Sequence, residues 1–287
     1  MRQLLAINNT IVNHKLQTSN FKLQKSLIVF LKSNSFPMEL NQYQYMFEAE
    51  DKHWWYVGNH AHFLALLKRK NILKDHIRIL DAGCGTGKWL ERLKKSNNIS
   101  ETGLDFQQKA LEYAQTRGPF NLMQGDVNQN IFSPDSFDLI TCFDVLCNRN
   151  IEDNRVLTHF YNALVPDGHL LVTVPAYNFL KSKHDQVVHT GKRYTHKQMR
   201  LLLEKNGFKI VKITYAVSLL FPLAFVKRIS DKLFNMEKAD HNEVKLPPRA
   251  INAFFLFVMQ VENFLLRYIS LPFGLSVVAL AVKTTKK

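Results

Sequence analysis

Residues 79–87 read ILDAGCGTG: an apolar run, one aspartate, and then three glycines spaced two apart. No other stretch constrains the fold as tightly. The run predicts a buried strand, and GKWLERLKKS (87–96) behind it has helical spacing. The turn between them has either to reverse the chain sharply or to let a ligand touch backbone. Glycine serves both needs, because it lacks a Cβ and enters left-handed conformations freely.

The pattern then repeats. A second apolar segment ends in Leu104-Asp105, and QQKALEYAQTRG follows as a helix with Gly118 at its end. FNLMQGD (120–126), FDLITCFD (137–144), after a turn at Ser133-Pro134-Asp135, and HLLVTVP (169–175) read as strands. IEDNRVLTHFYNALVPDG (151–168) reads as a helix closed by a Pro-Asp-Gly turn. THKQMRLLLEKNG (195–207) is a helix with Thr195 as cap and Gly207 as terminator. FKIVKITYAV (208–217) and SVVALAVK (276–283) are strands. Strands alternating with helices predict a parallel sheet covered on both faces. Ligands in such sheets bind beyond the strand C-termini. Asp81, Asp105, Asp126 and Asp144 all fall at those ends.

The flanks differ from this core. Residues 38–76 form a helical cap, divided near Gly58 and Asn59. Residues 218–275 are an apolar helical insert between the core segments 77–217 and 276–283. The run INAFFLFVMQVENFLLRYI in the insert carries Gln260, Glu262, Asn263 and Arg267. A continuous membrane span is therefore disfavoured, while packing on the domain or resting on a membrane surface both suit it. Residues 1–37 show no clear period and no acid. Arg2, Lys15, Lys22, Lys25 and Lys32 supply +5 of the net charge of +14, so the basic excess is partly a property of this segment. The segment reads as a loose extension ahead of a plausible start at Met38. Leu27–Leu31 is too short to span a bilayer and lacks a signal-peptide cleavage site. Cys84, Cys142 and Cys147 form no disulfide framework or metal-ligand pattern, which fits a reducing cytoplasm. No metal is expected.

The glycine spacing excludes two common ligands. A dinucleotide fold favours G-x-G-x-x-G, and here the sixth position is Lys88. A phosphate-binding P-loop needs a hydroxyl after its lysine, and Trp89 stands there. What remains is a ligand without pyrophosphate. Asp81 suits a cationic group. Asp105, 22 residues beyond Gly83, can accept from two ribose hydroxyls. Asp126 can receive an adenine amino group, with Phe106 or Val127 against the ring. Together these describe S-adenosyl-L-methionine. Singly, each aspartate serves equally as a cap or a solvated loop residue, and Gly85 and Gly87 serve equally as a turn.

ILDAGCGTG, GLD, GDV, FDLITCFDVL and LVPDGHLLVTVPAY resemble the successive motifs of class I S-adenosylmethionine-dependent methyltransferases. The resemblance is strong over about Ile77–Pro175 and continues to Lys283. It implies an α/β fold: a Rossmann-like, seven-stranded, mostly parallel sheet with helices on both faces, one antiparallel strand, and the helical insert before the last strand. It implies an amino-acid tail near Asp81, Gly83, Cys84 and Gly85, ribose near Asp105, and adenine near Phe106, Asp126 and Val127, with Phe143 also at the cofactor. EDKHWW, HD…H…KRYT and LPFGLSVVALAVK resemble a poorly characterised bacterial subgroup. Relatives often carry L-E-H after the fourth strand, where this chain has Leu146-Cys147-Asn148.

The acceptor side is less marked. If the nucleophile must lose a proton, His184, Asp185 and His189 are the local candidates for a base. Arg193 and Tyr194 suit a polar or anionic acceptor, and Trp55, with His53 and Trp54, suits a lid. Each has a plainer reading, as surface loop, loop-to-helix joint or core patch. A small-molecule, lipid-linked or glycan-linked acceptor is preferred. The alternatives are a nonenzymatic cofactor-binding protein and a nucleic-acid methyltransferase. The last lacks a zinc finger, a basic recognition helix or an N-P-P-Y-like motif. A cytoplasmic location, including the inner face of a membrane, is expected; the oligomeric state is open.

Overall fold

The computed structural model describes residues 40–95, 99–234 and 246–284. The proposed boundary at residues 37 and 38 lies outside them. The elements are α1 (Leu40–Ala49), α2 (Trp54–Arg69), β1 (Arg78–Ala82), α3 (Lys88–Lys94), β2 (Ser100–Asp105), α4 (Gln108–Arg117), β3 (Asn121–Gln124), β4 (Phe137–Phe143), α5 (Asp153–Ala163), β5 (Leu164–Pro175), α6 (Lys183–Val187), α7 (His196–Lys205), β6 (Phe208–Ala216), α8 (Phe221–Leu233), α9 (Arg249–Leu265) and β7 (Ser276–Lys283). One seven-stranded sheet has the order β3-β2-β1-β4-β5-β7-β6. β7 runs antiparallel to both β5 and β6, and the other pairings are parallel. The Rossmann-like expectation holds, including the helical insert before the last strand.

Alternation along the strands divides the core in two. Leu80, Ile140, Leu170 and Val172 face α5 and α7. Ile79, Leu139, Leu171 and Leu280 face α2, α3 and Met259 of α9. Successive side chains point to opposite faces, so both sides of the central strands are covered. Strand order reverses between β1 and β4. Their C-terminal ends flank the crevice where a doubly wound sheet binds its ligand.

Two local expectations need correction. The cap does not divide at Gly58-Asn59, which lie within α2; the break falls at residues 50–53. Gly58 is there for close approach, because a Cβ on it would lie 2.9 Å from the Met259 side chain of α9. The fifth helix does not end in Pro-Asp-Gly. It stops at Ala163, and residues 164–168 already belong to β5, where the register against β4 shifts. Residues 176–194, which carry the acceptor-side histidines, contain a 3-10 turn (Asn178–Leu180) and α6. The Thr195 cap stands, as a capping box with Gln198, and Gly207 ends the helix region at φ 88°.

Cap and insert pack on each other. The Asn252 carbonyl accepts from the Trp54 backbone N–H at 3.0 Å, and its amide donates to Lys52 O at 2.8 Å. Asn263 donates to Gly58 O at 3.0 Å. A second tie joins the cap to the sheet. Arg117, at the end of α4, donates to Thr86 O (2.9 Å), to Phe47 O (2.8 Å) and to the Glu50 carboxylate (3.2 Å), and covers the Phe47 ring. Glu50 also accepts from the Thr86 hydroxyl. Arg117 and Glu50 are both buried, at 6% and 8% side-chain exposure. Removing one partner of such a pair strands the other. Arg117→Ala should therefore lower the unfolding free energy by about 3 kcal/mol in urea titrations. A loss below about 1 kcal/mol would mean that the pair is effectively solvated.

Candidate cofactor site

The turn after β1 is shaped by backbone alone. Gly83 and Gly85 have φ of 86° and 52°. A Cβ on Gly83 would collide with Val145, and one on Gly85 would lie 2.8 Å from Met46 Cε of α1. The N–H groups of Gly83 and Cys84 donate to Leu104 O at 2.7 and 2.9 Å, folding the turn across the end of β2. Asp105 completes the arrangement. Its Oδ2 accepts from Gly85 N–H at 2.9 Å and its Oδ1 from Gln107 N–H at 2.9 Å. Each carboxylate oxygen keeps further acceptor capacity, so a ribose diol can still be held. The Cys84 thiol instead packs with Leu90 and Leu111, and burial pushes its pKa up; only the Cys84 backbone belongs to the turn surface.

Around this turn carboxylates gather. Asp81 is 2% exposed and accepts from the Thr141 hydroxyl at 2.8 Å. Trp89 Nε1 donates to that hydroxyl at 3.2 Å and so directs its proton toward Asp81. Burial pushes Asp81 up to about 7, opposed by the Thr141 bond and reinforced by Asp105 and Glu50. Burial likewise raises Glu50 to about 7, against the pull of Thr86 and Arg117. It raises Asp144 to about 6, and Thr173 donates to Asp144 at 3.4 Å. Burial first, then Asp105 and Cys84, raise the Tyr43 phenol of α1. Ionisable carboxyls are thus concentrated in a dry region, where a cation would favour their charged forms.

The neighbouring strand ends carry the remaining expected residues. Gln124 donates to Phe106 O at 3.2 Å, tying the end of β3 to β2. Asp126 Oδ1 accepts from Asn128 N–H at 2.9 Å, and Val127 beside it is buried. Phe143 sits in an aromatic group with Phe63 (4.5 Å between centroids) and Trp89 (5.3 Å). A cleft of about 540 Å³ on the opposite edge, lined by Arg200, Glu204, Lys209 and Thr284, includes none of these residues.

Residues 79–168 match the family model described as a methyltransferase domain. These residues form a methyltransferase domain. The chain is 25% identical over 172 residues to the sterol 24-C-methyltransferase of Candida albicans, covering 54% of this chain and 45% of that one. It is 30% identical over 115 residues to the demethylmenaquinone methyltransferase of Staphylococcus aureus, covering 36% and 47%. It spans about half the length of these curated relatives. The fold superposes on phosphoethanolamine N-methyltransferase 2 of Haemonchus contortus, solved with S-adenosyl-L-methionine, with a TM-score of 0.53 at 18% identity, covering 77% of this chain and 52% of that one.

The cofactor of the methyltransferase domain is S-adenosyl-L-methionine, and the residues present fit it. Gly83 and Gly85 present bare backbone in left-handed conformations, Asp105 has acceptor capacity beyond its bonds to Gly85 and Gln107, and the buried Asp81 carboxyl suits the positive charge that a sulfonium or an ammonium carries. Tyr43, Met46, Glu50, Thr86 and Arg117 were not legible as site residues. Glu50 meets Thr86 36 residues on and Arg117 67 residues on, spacings that follow no local period.

The loop after β5 is stitched to the segment after β4. Gly191 and Lys192 N–H donate to Cys147 O at 2.8 and 3.0 Å, and Arg149 N–H donates to His189 O at 3.0 Å. Asp185 is 1% exposed and takes a two-pronged ion pair from Arg193 (2.9 and 3.1 Å), while Ser182 N–H donates to it at 2.7 Å. Burial raises its pKa, but Arg193 and the Ser182 bond more than offset this, so it sits below the usual carboxylate value. Tyr194 turns inward, its hydroxyl donating to Asp153 at 2.8 Å. His189 is half-buried with φ 57°. His184 lies on α6, and its side chain is outside the described residues. Trp55 stands in the first turn of α2, edge-on to Tyr56 at 4.9 Å.

Two measurements follow. Asp105→Ala should weaken S-adenosyl-L-homocysteine binding by about 1–3 kcal/mol in calorimetry, and equal affinity would remove Asp105 from the site. Linkage supplies the other. Because burial raises Asp81, Glu50 and Asp144, the folded protein holds protons that the unfolded chain has lost. Their stability contribution is present below the ordinary carboxylate range and fades as pH rises toward about 7. A cationic ligand favours their ionised forms. Binding of S-adenosyl-L-methionine near about pH 6 should then release protons, seen as a heat that varies with buffer ionisation enthalpy, and affinity should rise with pH. Buffer-independent heat would show that these acids do not respond to the ligand.

Proposed function

We propose that this protein transfers a methyl group to a small or lipid-linked acceptor with an apolar body. The carrying observation is an aromatic cluster at the sheet edge that also bears the glycine turn. Tyr177, directly after β5, stacks on Phe179 (5.2 Å) and on Tyr215 at the end of β6 (5.1 Å). Phe221 of α8 meets Tyr177 at 6.0 Å and Phe273 at 5.5 Å. Apolar rings beside a polar, carboxylate-lined centre suit an acceptor with a polar reacting end. The names of the sterol and menaquinone methyltransferases among the relatives agree with that chemistry.

Bound at the glycine turn, S-adenosyl-L-methionine supplies an electrophilic methyl on a sulfonium. The chain's own residues hold and orient. Asp105 and the turn backbone fix the nucleoside, Phe106, Asp126 and Val127 stand for the adenine side, Phe143 lines the site from the β4 end, and Asp81 offsets the ammonium. The cap, with Trp55, excludes water from the edge, where fixed dipoles and placement do most of the work. The Arg193 pairing supports a positioning role for Asp185, and the inward hydroxyl supports a wall role for Tyr194. His184 and His189 remain for removing a proton from an acceptor hydroxyl or amine.

A screen of quinone precursors, lipid-linked sugars and small hydroxylated metabolites should find methyl transfer to an apolar-bodied acceptor. In that assay His184→Ala should lower turnover by about 100-fold, with cofactor affinity unchanged. Unchanged turnover would clear His184 of a catalytic role. Transfer only to acceptors without an apolar part would reject the aromatic cluster as the acceptor wall.

A further inference from the structure

Helix α9 carries large apolar residues on both of its long faces. Met259 and Leu266 are buried, and Asn252, Phe255 and Asn263 meet the cap from the same side. The other face is a stripe at three- and four-residue spacing: Ile251, Phe254, Phe257, Val261, Phe264 and, just past the helix, Tyr268. Every member is exposed, Phe257 by 61% and Tyr268 by 74%. A surface helix normally turns polar residues outward. Helix α8 repeats the anomaly with Leu223, Val226 and Ile229, also exposed and also on one face. Glu262 of α9 accepts from Ser218 and Leu219 N–H in the segment just ahead of α8 (2.7 and 2.9 Å). An exposed apolar stripe of this length marks an interaction site.

Among the described residues on and beside the two helices, cations outnumber carboxylates. The carboxylates on α8 and α9 are Asp231 and Glu262. Asp231 pairs with Lys227 at 2.9 Å, and Glu262 is buried against backbone. Cations frame the stripe. Arg249 is exposed at its start, and Arg267 lies over the Phe264 ring near its end. Beside Arg267, Arg69 donates to Arg267 O, and Lys212 donates to Leu266 O (2.5 Å) and Ile269 O (3.1 Å). Lys68 and Lys70 are exposed at the same helix end. No helix among the described residues is long and apolar enough to cross a membrane. A second copy meeting this face would offer the same stripe and cations, with no spare carboxylate on either helix to neutralise them.

We infer that the outer face of α8 and α9 docks the protein on an anionic lipid bilayer. The stripe enters the headgroup–acyl boundary with α9 lying along the surface, and Arg249, Arg267, Arg69, Lys70 and Lys212 meet lipid phosphates. The surface reaches the sheet edge through Phe179, which is 54% exposed and meets Phe225 of α8 at 6.0 Å. Docking stands independently of the acceptor. A bilayer as the source of an apolar acceptor rests on the methyl-transfer reading above.

Vesicle flotation of the full chain is the test. The protein should float with vesicles of equal parts phosphatidylcholine and phosphatidylglycerol at low salt, and weakly with phosphatidylcholine alone. The double variant Phe254→Glu/Phe257→Glu should lose affinity by more than about tenfold. Arg249→Gln/Arg267→Gln should weaken binding to the mixed vesicles only and flatten its salt dependence. Both should keep the wild-type thermal midpoint and S-adenosyl-L-homocysteine affinity, so docking can fail while the cofactor site stands. No flotation of wild type at low salt would overturn the inference. So would wild-type flotation by folded variants of both kinds, or a solution dimer that the phenylalanine variant converts to monomer without any vesicle binding.

Discussion

The hydrogen bond from Gly85 N–H to the Asp105 carboxylate joins the turn after β1 to the end of β2, and the site is arranged around it. It exists because the glycines adopt left-handed conformations, which bring bare backbone to the C-terminal edge of the sheet. It also explains why the acid belongs on the adjacent strand. β2 pairs in parallel with β1, Ala82 opposite Leu104, so Asp105 comes level with the turn. The same parallel sheet, covered on both faces, makes that edge dry. Acids placed there bear the cost of burial until a positive ligand arrives.

The cap is held against this edge by an ion pair and backbone hydrogen bonds as well as by apolar packing. Arg117 reaches the cap backbone, the Glu50 carboxylate and the backbone of Thr86 within the glycine turn. The cap is therefore fixed by the element whose shape matters for binding, and Met46 of α1 lies directly over Gly85. Behind it, α9 braces α2 through Asn252, Met259 and Asn263. Cap and insert, distant in sequence, act as one cover over the sheet. The outward stripe of α9 is thus carried by a helix whose inner face is already committed.

Most of the sheet was legible in the sequence, because period, glycine and aspartate are local signals. The strand ends at Asp81, Asp105 and Asp144 could be read from apolar runs that stop at an acid. What escaped depends on distant contacts. Gly58 looks like a helix breaker until Met259, some two hundred residues away, is seen against it. The Pro-Asp-Gly motif looks like a helix stop, yet β5 has already begun at Leu164, pairing with Phe137 of β4. At the site, His184, Asp185, His189, Arg193 and Tyr194 were visible as chemically capable residues. No sequence signal tells that Arg193 is spent on Asp185, or that the Tyr194 hydroxyl faces Asp153. The clamp of Glu50, Thr86 and Arg117 was invisible for the same reason.

Everything above turns on whether the glycine turn, Asp105 and the buried acids form one cofactor site. A crystal structure of the full chain with S-adenosyl-L-homocysteine tests it most directly. Both ribose hydroxyls should lie on the Asp105 carboxylate, the amino-acid tail along Gly83–Gly85 with its ammonium toward Asp81, and adenine beside Phe106, Asp126 and Val127. Ligand density at another edge of the sheet, such as the cleft between α7 and β6, with Asp105 still closed on Gly85 and Gln107 alone, would contradict it.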